Sequence, residues 1–140
     1  MESSQKPPPK GFWLARSFKR AFLGLKVGLE ERNFKRHLVS TIGALFCAFY
    51  YRLNSIEAVA IILCCGLILS LELMNTGIER LAREQKNPRQ ALDVGAASVL
   101  VASFFSLIIG VILIVPRAIY FPYVLIGTIV IIPLIWVVLD

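Results

Sequence analysis

Charge is scarce in this chain of 140 residues: 17% are charged and 57% hydrophobic, whereas an ordinary soluble domain has about a quarter of its residues charged. That shortage excludes a typical water-soluble globule. A single histidine, His37, excludes a multi-histidine metal site. The three cysteines, Cys47, Cys64 and Cys65, fall in apolar runs without redox or metal-ligand spacing, so they read as small hydrophobes in helices. Neither a G-x-x-x-x-G-K phosphate loop nor a G-x-G-x-x-G loop is present, so any nucleotide chemistry must use another scaffold. The first residues are polar and proline-containing, so no cleavable signal peptide is expected and the apolar spans themselves direct insertion.

What the chain does have is apolar length. Runs at about 38–51, 56–78, 94–115 and 119–139 are helix candidates, since open strands cannot cross lipid. Val94 to Val115 passes 22 residues without a charge, enough to cross a bilayer. Pro122 and Pro133 fall in the last run, where they predict a bent span. Residues 1–13, with Pro7, Pro8, Pro9 and Gly11, are expected to form a flexible tail. Over about 14–36, Leu14, Phe18, Phe22, Leu25 and Leu29 recur at helical spacing opposite Arg16, Lys19, Arg20 and Lys26, the pattern of an amphipathic helix lying in the membrane interface. The expected fold is therefore an all-α integral membrane protein: a surface helix, three spans within residues 14–115, and a fourth span.

Charge placement orients it. Residues 1–37 hold nine Lys or Arg against three Glu, which accounts for the whole net charge of +6. The loop after the second span carries Arg80, Arg83, Lys86 and Arg89 against Glu84, while the turns at 52–55 and 116–118 carry little charge. The positive-inside rule then puts the N-terminus, the basic loop and the C-terminus on the cytoplasmic side of a bacterial inner membrane. The basic segment fits anionic lipid headgroups or a phosphorylated ligand, and without a nucleic-acid-binding motif no nucleic-acid partner is expected.

Charges inside an apolar helix are costly, so they are paired, facing a wet cavity, or at work. In LELMNTGIE, Glu72, Asn75, Thr76 and Glu79 share one helix face near the cytoplasmic end of the second span. Glu72 and Glu79 lie on the order of 10 Å apart along the axis. Glu79 suits a metal-nucleotide, because Mg²⁺ takes carboxylate oxygens together with substrate phosphates, and the deeper Glu72 suits deprotonating a hydroxyl. The structural alternative pairs Glu79 with Arg83 and hydrogen-bonds Glu72 to a neighbouring helix. Asp93 reads as a residue of the first turn of the third span, where the helix dipole favours negative charge. The small residues Gly95 to Ser98 read as a close helix contact.

Four stretches, RSFKRAFLGL at 16–25, ERNFKRH at 31–37, ELMNTGIE at 72–79 and DVGAASVL at 93–100, resemble in order and spacing the small bacterial integral-membrane diacylglycerol and undecaprenol kinases. The E-R-N-x-K-x-H form is more similar to the undecaprenol kinase branch. The resemblance implies a homotrimer with active sites shared between neighbours, transferring the γ-phosphate of ATP to a lipid hydroxyl with Mg²⁺. Carried over by position, it implies that Glu72 is the base, that Glu31 and Glu79 are metal-nucleotide carboxylates, and that Arg16, Arg20, Asn75 and Asp93 attend the nucleotide. Asn33 and Lys35, with Glu72, are implied at the lipid substrate.

The chain departs from the pattern at Arg83, where the family has an acid, at Leu92, where it has a lysine, and in a shorter loop between Glu79 and Asp93. Arg83, Lys86 or Arg89 is expected to supply the missing cation if turnover is kept. Two other classes compete: a kinase-derived membrane subunit that binds lipid or a protein partner without turnover, and a transporter or channel. The last is poorly served by a polar stripe confined to one end of one helix.

Overall fold

The computed structural model describes residues 10–84, 89–120 and 122–138. They form five helices and, among the described residues, no strand: α1 (Lys10–Glu30), α2 (Arg32–Tyr50), α3 (Ser55–Ala82), α4 (Arg89–Ala118) and α5 (Pro122–Val138). The antiparallel pair α3 and α4 makes the most extensive contact, α2 packs beside α3, and α5 lies against α2 and α4.

Two helices, α3 and α4, are long and apolar enough to cross a membrane, and only 11% and 17% of their most apolar windows are buried within the chain. A soluble protein's core helices would be covered. Here the large apolar side chains face outward along every helix, which is stable only where lipid or other subunits replace water. The apolar face of α1, with Leu14, Phe18, Phe22, Leu25 and Leu29, is likewise uncovered.

Three expected boundaries move. Helix α1 starts at Lys10, inside the expected tail, because past Pro9 only Gly11 opposes helix, at about 1 kcal/mol; residues 1–9 lie outside the described residues. The surface helix expected to reach residue 36 stops at Glu30, and extended Glu31 (φ −83°, ψ 134°) turns the chain into α2. The cause is packing: Phe34 is buried against Gly28, where a Cβ would overlap Leu73 of α3. Helix α4 begins at Arg89, which leaves Asp93 beyond its first turn.

The ends of α2 and α3 opposite the basic loop are tightly made. The Arg52 N–H donates to Phe49 O and the Leu53 N–H to Ala48 O, both at 3.1 Å, the 5→2 and 6→1 bonds of a Schellman motif. Arg52 occupies its left-handed position, φ 50°, where a non-glycine residue costs about 1–2 kcal/mol. Asn54 and Glu57 then form a capping box that starts α3.

Helix α5 has 17 residues, about 25 Å of helix against a hydrocarbon core of about 30 Å. It is docked specifically. A Cβ on Gly43 would overlap Ile132, and the Leu125 N–H, an orphan donor of the first turn of α5, donates to the Tyr51 hydroxyl at 3.1 Å. Cys47, Tyr51, Ile114 and Ala118 form the buried cluster that ties α2 to α4 at this end, with Val124 and Leu125 of α5 packed on it.

Candidate functional site

The polar stripe predicted on the second span exists. Glu72, Asn75 and Thr76 on α3 are buried, at 4%, 5% and 5% exposure, and Glu79 is half-buried one turn further on. The Asn75 Nδ2 donates to Glu79 Oε1 at 2.8 Å. Its Oδ1 is buried without a hydrogen-bond partner among the described residues, against Gly95 of α4, where a Cβ would overlap it. Close approach at Gly95 therefore lets α4 roof the stripe.

The structural alternative for the stripe is not what the chain does. Among the described residues Glu79 makes no ion pair with Arg83, which caps α3 and is exposed. No hydrogen bond to the Glu72 carboxylate is formed among them either. An unpaired carboxylate in an apolar helix is costly unless water or a ligand reaches it. The groups whose charge acts on it are Glu79 and Glu31, two more carboxylates.

Glu31 arrives through the turn between α1 and α2. The Arg80 Nη2 of α3 donates to Glu31 Oε1 at 2.9 Å and lies 3.9 Å from Glu30 Oε2. Sequence reasoning missed Arg80, because a partner 49 residues away leaves no periodic signal. The other expected residues divide. Asn33 accepts from Arg36 Nη1 at 3.3 Å on the exposed start of α2, and Lys35 is half-buried there. Arg16 and Arg20 are exposed on α1, and Asp93 is exposed on α4. Apart from half-buried Lys35, these residues are exposed within one chain, unlike the buried stripe. Leu92 is half-buried and Arg89 exposed, while Lys86 lies outside the described residues.

In the rest of the ERNFKRH segment Phe34 is buried and His37 half-buried. Burial pushes the His37 imidazole below its ordinary value. On α3 the same face continues past Glu72 through Ile68, Cys65 and Ile61, at alternating steps of three and four. These residues line a cavity of about 400 Å³ with Ser103 and Ser106 of α4 and Trp136 of α5. A polar end and a largely apolar cavity thus share one helix face.

No group of three or more His, Cys, Asp or Glu among the described residues is drawn together tightly enough to hold a metal by itself. Mg²⁺ does not require such a group, because it is commonly bound through one or two carboxylates, with waters and substrate phosphates completing its shell. The half-buried carboxylates Glu79 and Glu31 supply hard oxygen donors of the kind this ion takes.

Apolar helices with uncovered flanks, gathering buried carboxylates at one end, define a helical membrane protein with a polar site at the edge of its bundle. The family model for prokaryotic diacylglycerol kinase matches residues 19–114, and the chain belongs to that family. An undecaprenol kinase from Bacillus subtilis (strain 168) is 35% identical over 108 residues, covering 73% of this chain and 88% of that protein. A diacylglycerol kinase from Synechocystis sp. (strain ATCC 27184 / PCC 6803 / Kazusa) is 27% identical over 125 residues, covering 81% and 71%. No solved structure matches. The matched region stops short of α5.

Proposed function

We propose that the chain is a lipid kinase that transfers the γ-phosphate of ATP to the hydroxyl of a membrane lipid, undecaprenol or diacylglycerol, at the cytoplasmic face of a bacterial inner membrane. The observation that carries this reading is Glu72, a residue at 4% exposure whose carboxylate makes, among the described residues, neither hydrogen bond nor ion pair, on the same helix face as Glu79. Family membership and the names of the two relatives point the same way.

Glu72 accepts the hydrogen bond of the lipid hydroxyl, orients it, and takes its proton as the new oxygen–phosphorus bond forms and the bond to the departing ADP breaks. Glu79 and Glu31 would hold Mg²⁺ with the nucleotide, and Asn75 fixes Glu79 through its amide. The ion, when bound, neutralises charge on the phosphate oxygens, which with positioning makes up most of the catalysis of phosphoryl transfer. The lipid's hydrocarbon chain follows the face of α3 into the cavity at Cys65 and Ile68. Arg16, Arg20 and Asp93 attend the nucleotide, and Asn33 and Lys35 the lipid. The exposure of Arg16, Arg20, Asn33 and Asp93 within one chain fits a homotrimer whose sites are completed by a neighbouring subunit. The α1 surface helix, three family-type spans and a fourth formed by α5 complete the arrangement.

One observation favours a second reading, a membrane subunit that keeps the scaffold without turnover. Arg80 already occupies Glu31, and Leu92 offers no cation to the phosphates.

Lipid phosphorylation by the purified protein in mixed micelles with Mg-ATP, offering undecaprenol and diacylglycerol separately, tests both. Phosphate on either lipid, lost in Glu72→Gln and Glu79→Gln, is the expected result. Nucleotide binding by a folded oligomer without phosphate on either lipid would establish the second reading.

A further inference from the structure

The end of the bundle opposite the carboxylates holds a second polar site. Glu57 precedes Glu72 by 15 residues on α3, about 22 Å along the helix. Here Tyr50, Tyr51, Arg52, Arg117 and Tyr120 line an open cleft of about 600 Å³. Arg117 and Tyr120 lie beyond the region matched by the family model.

We propose that this cleft binds the headgroup of an anionic membrane phospholipid and that Arg52 supplies the recognising charge. The two arginines are not equivalent. Arg117 is committed, its Nη2 donating to both Glu57 oxygens at 2.9 and 2.8 Å and its Nη1 to Leu113 O at 2.7 Å. Arg52 is exposed, and among the described residues no carboxylate pairs with it. Two arginines against one glutamate leave the cleft with an uncompensated positive charge at its mouth. The exposed Tyr50 and Tyr120 place phenol hydroxyls beside it, neutral donors for the remaining phosphate oxygens.

The backbone supplies the independent argument. Arg52 occupies the left-handed position of the motif that ends α2, a place that glycine, or less often asparagine, fills without strain. Folding gains nothing from arginine there, so the side chain is what the position uses. A lipid fits better than a soluble anion because this end of the bundle also exposes Phe49, Ile56 and Ile119, apolar side chains suited to acyl chains. This inference does not depend on the kinase reading.

Native mass spectrometry of the full-length protein, titrated with phosphatidylglycerol or phosphatidylcholine, tests it alongside thermal unfolding in detergent. Arg52→Gly and Arg52→Gln are expected to lose about tenfold in phosphatidylglycerol affinity, one charge-assisted contact. Gln90→Glu, the same change in net charge at an exposed position at the other end of the bundle, keeps that affinity, and Arg52→Gly without lipid unfolds at or above the wild-type temperature. Equal losses in Arg52→Gly and Gln90→Glu would reduce the effect to net charge and overturn the proposal. So would a lower unfolding temperature for lipid-free Arg52→Gly, which would make arginine a structural choice. Displacement of phosphatidylglycerol by millimolar inorganic phosphate would overturn the lipid assignment in favour of a free-anion site.

Discussion

Gly95 of α4 lies so close to the Asn75 carboxamide of α3 that a Cβ there would overlap Oδ1. The same amide donates to Glu79, so the spacing of two helices sets the position of a carboxylate. Asn75 has few ways to yield, being short, buried and tied at its nitrogen. Gly95→Ala is therefore expected to cost about 1–3 kcal/mol, the range for overpacking a close contact. Turnover should fall by about tenfold or more, since a shift in Glu79 of a fraction of an ångström already misplaces charge at the phosphates. Thermal unfolding and lipid phosphorylation on one preparation check this. An unchanged rate with unchanged stability would show that Asn75 moves aside freely and does not fix Glu79.

Much of this arrangement was legible in the sequence because it is periodic. Glu72, Asn75, Thr76 and Glu79 share a face by spacing alone, and the structure buries the first three and ties Asn75 to Glu79 one turn further on. The helical class and the apolar lengths of α3 and α4 were equally visible. What periodicity cannot convey is contact between distant segments. Arg80 reaching Glu31, Arg117 reaching Glu57 and Gly28 admitting Leu73 all depend on how helices pack. The break at Glu31 was missed for the same reason, because the charged cluster at 30–37 reads as a solvated surface and only the burial of Phe34 marks the turn.

Arg80 and Glu31 are both partly exposed, at 44% and 32% for their side chains, so solvent screens their pairing. Removing it should cost less than about 1 kcal/mol of stability. Its effect belongs to the site: with Arg80→Gln, Glu31 loses the contact that holds it beside α3, and the Mg²⁺ concentration giving half-maximal rate should rise severalfold. A fall in that concentration would mean that Arg80 competes with the ion, and would support the reading without turnover. Mg²⁺ titrations of the wild type and variant at fixed ATP separate the two.

His37 gives the pH dependence a sign. Burial lowers its folded value below the unfolded one, so the folded state binds fewer protons through the histidine range. The stability it contributes is present above the unfolded value and is lost as pH falls through that value toward the folded one. The unfolding temperature should therefore drop between about pH 7 and about pH 5, and His37→Gln should flatten that slope. Parallel slopes for the two proteins would show that His37 takes up its proton without cost.

Trp136 is the residue by which α5 closes the cavity that continues the Glu72 face. Its ring is partly exposed, so truncation opens the cavity without emptying a sealed core. If the acceptor's hydrocarbon chain lies along Ile68 and Cys65, Trp136→Ala should change the preference among alcohols of different chain length while leaving the Mg-ATP KM unchanged. The expected shift is about tenfold or less in relative kcat/KM, the scale of one hydrophobic pocket contact. Phosphorylation of a graded series of long-chain alcohols, each measured against undecaprenol, reads this directly. An unaltered length profile with full activity would place the hydrocarbon chain elsewhere on the bundle and leave α5 a purely structural helix, held by Gly43, Tyr51 and Thr128.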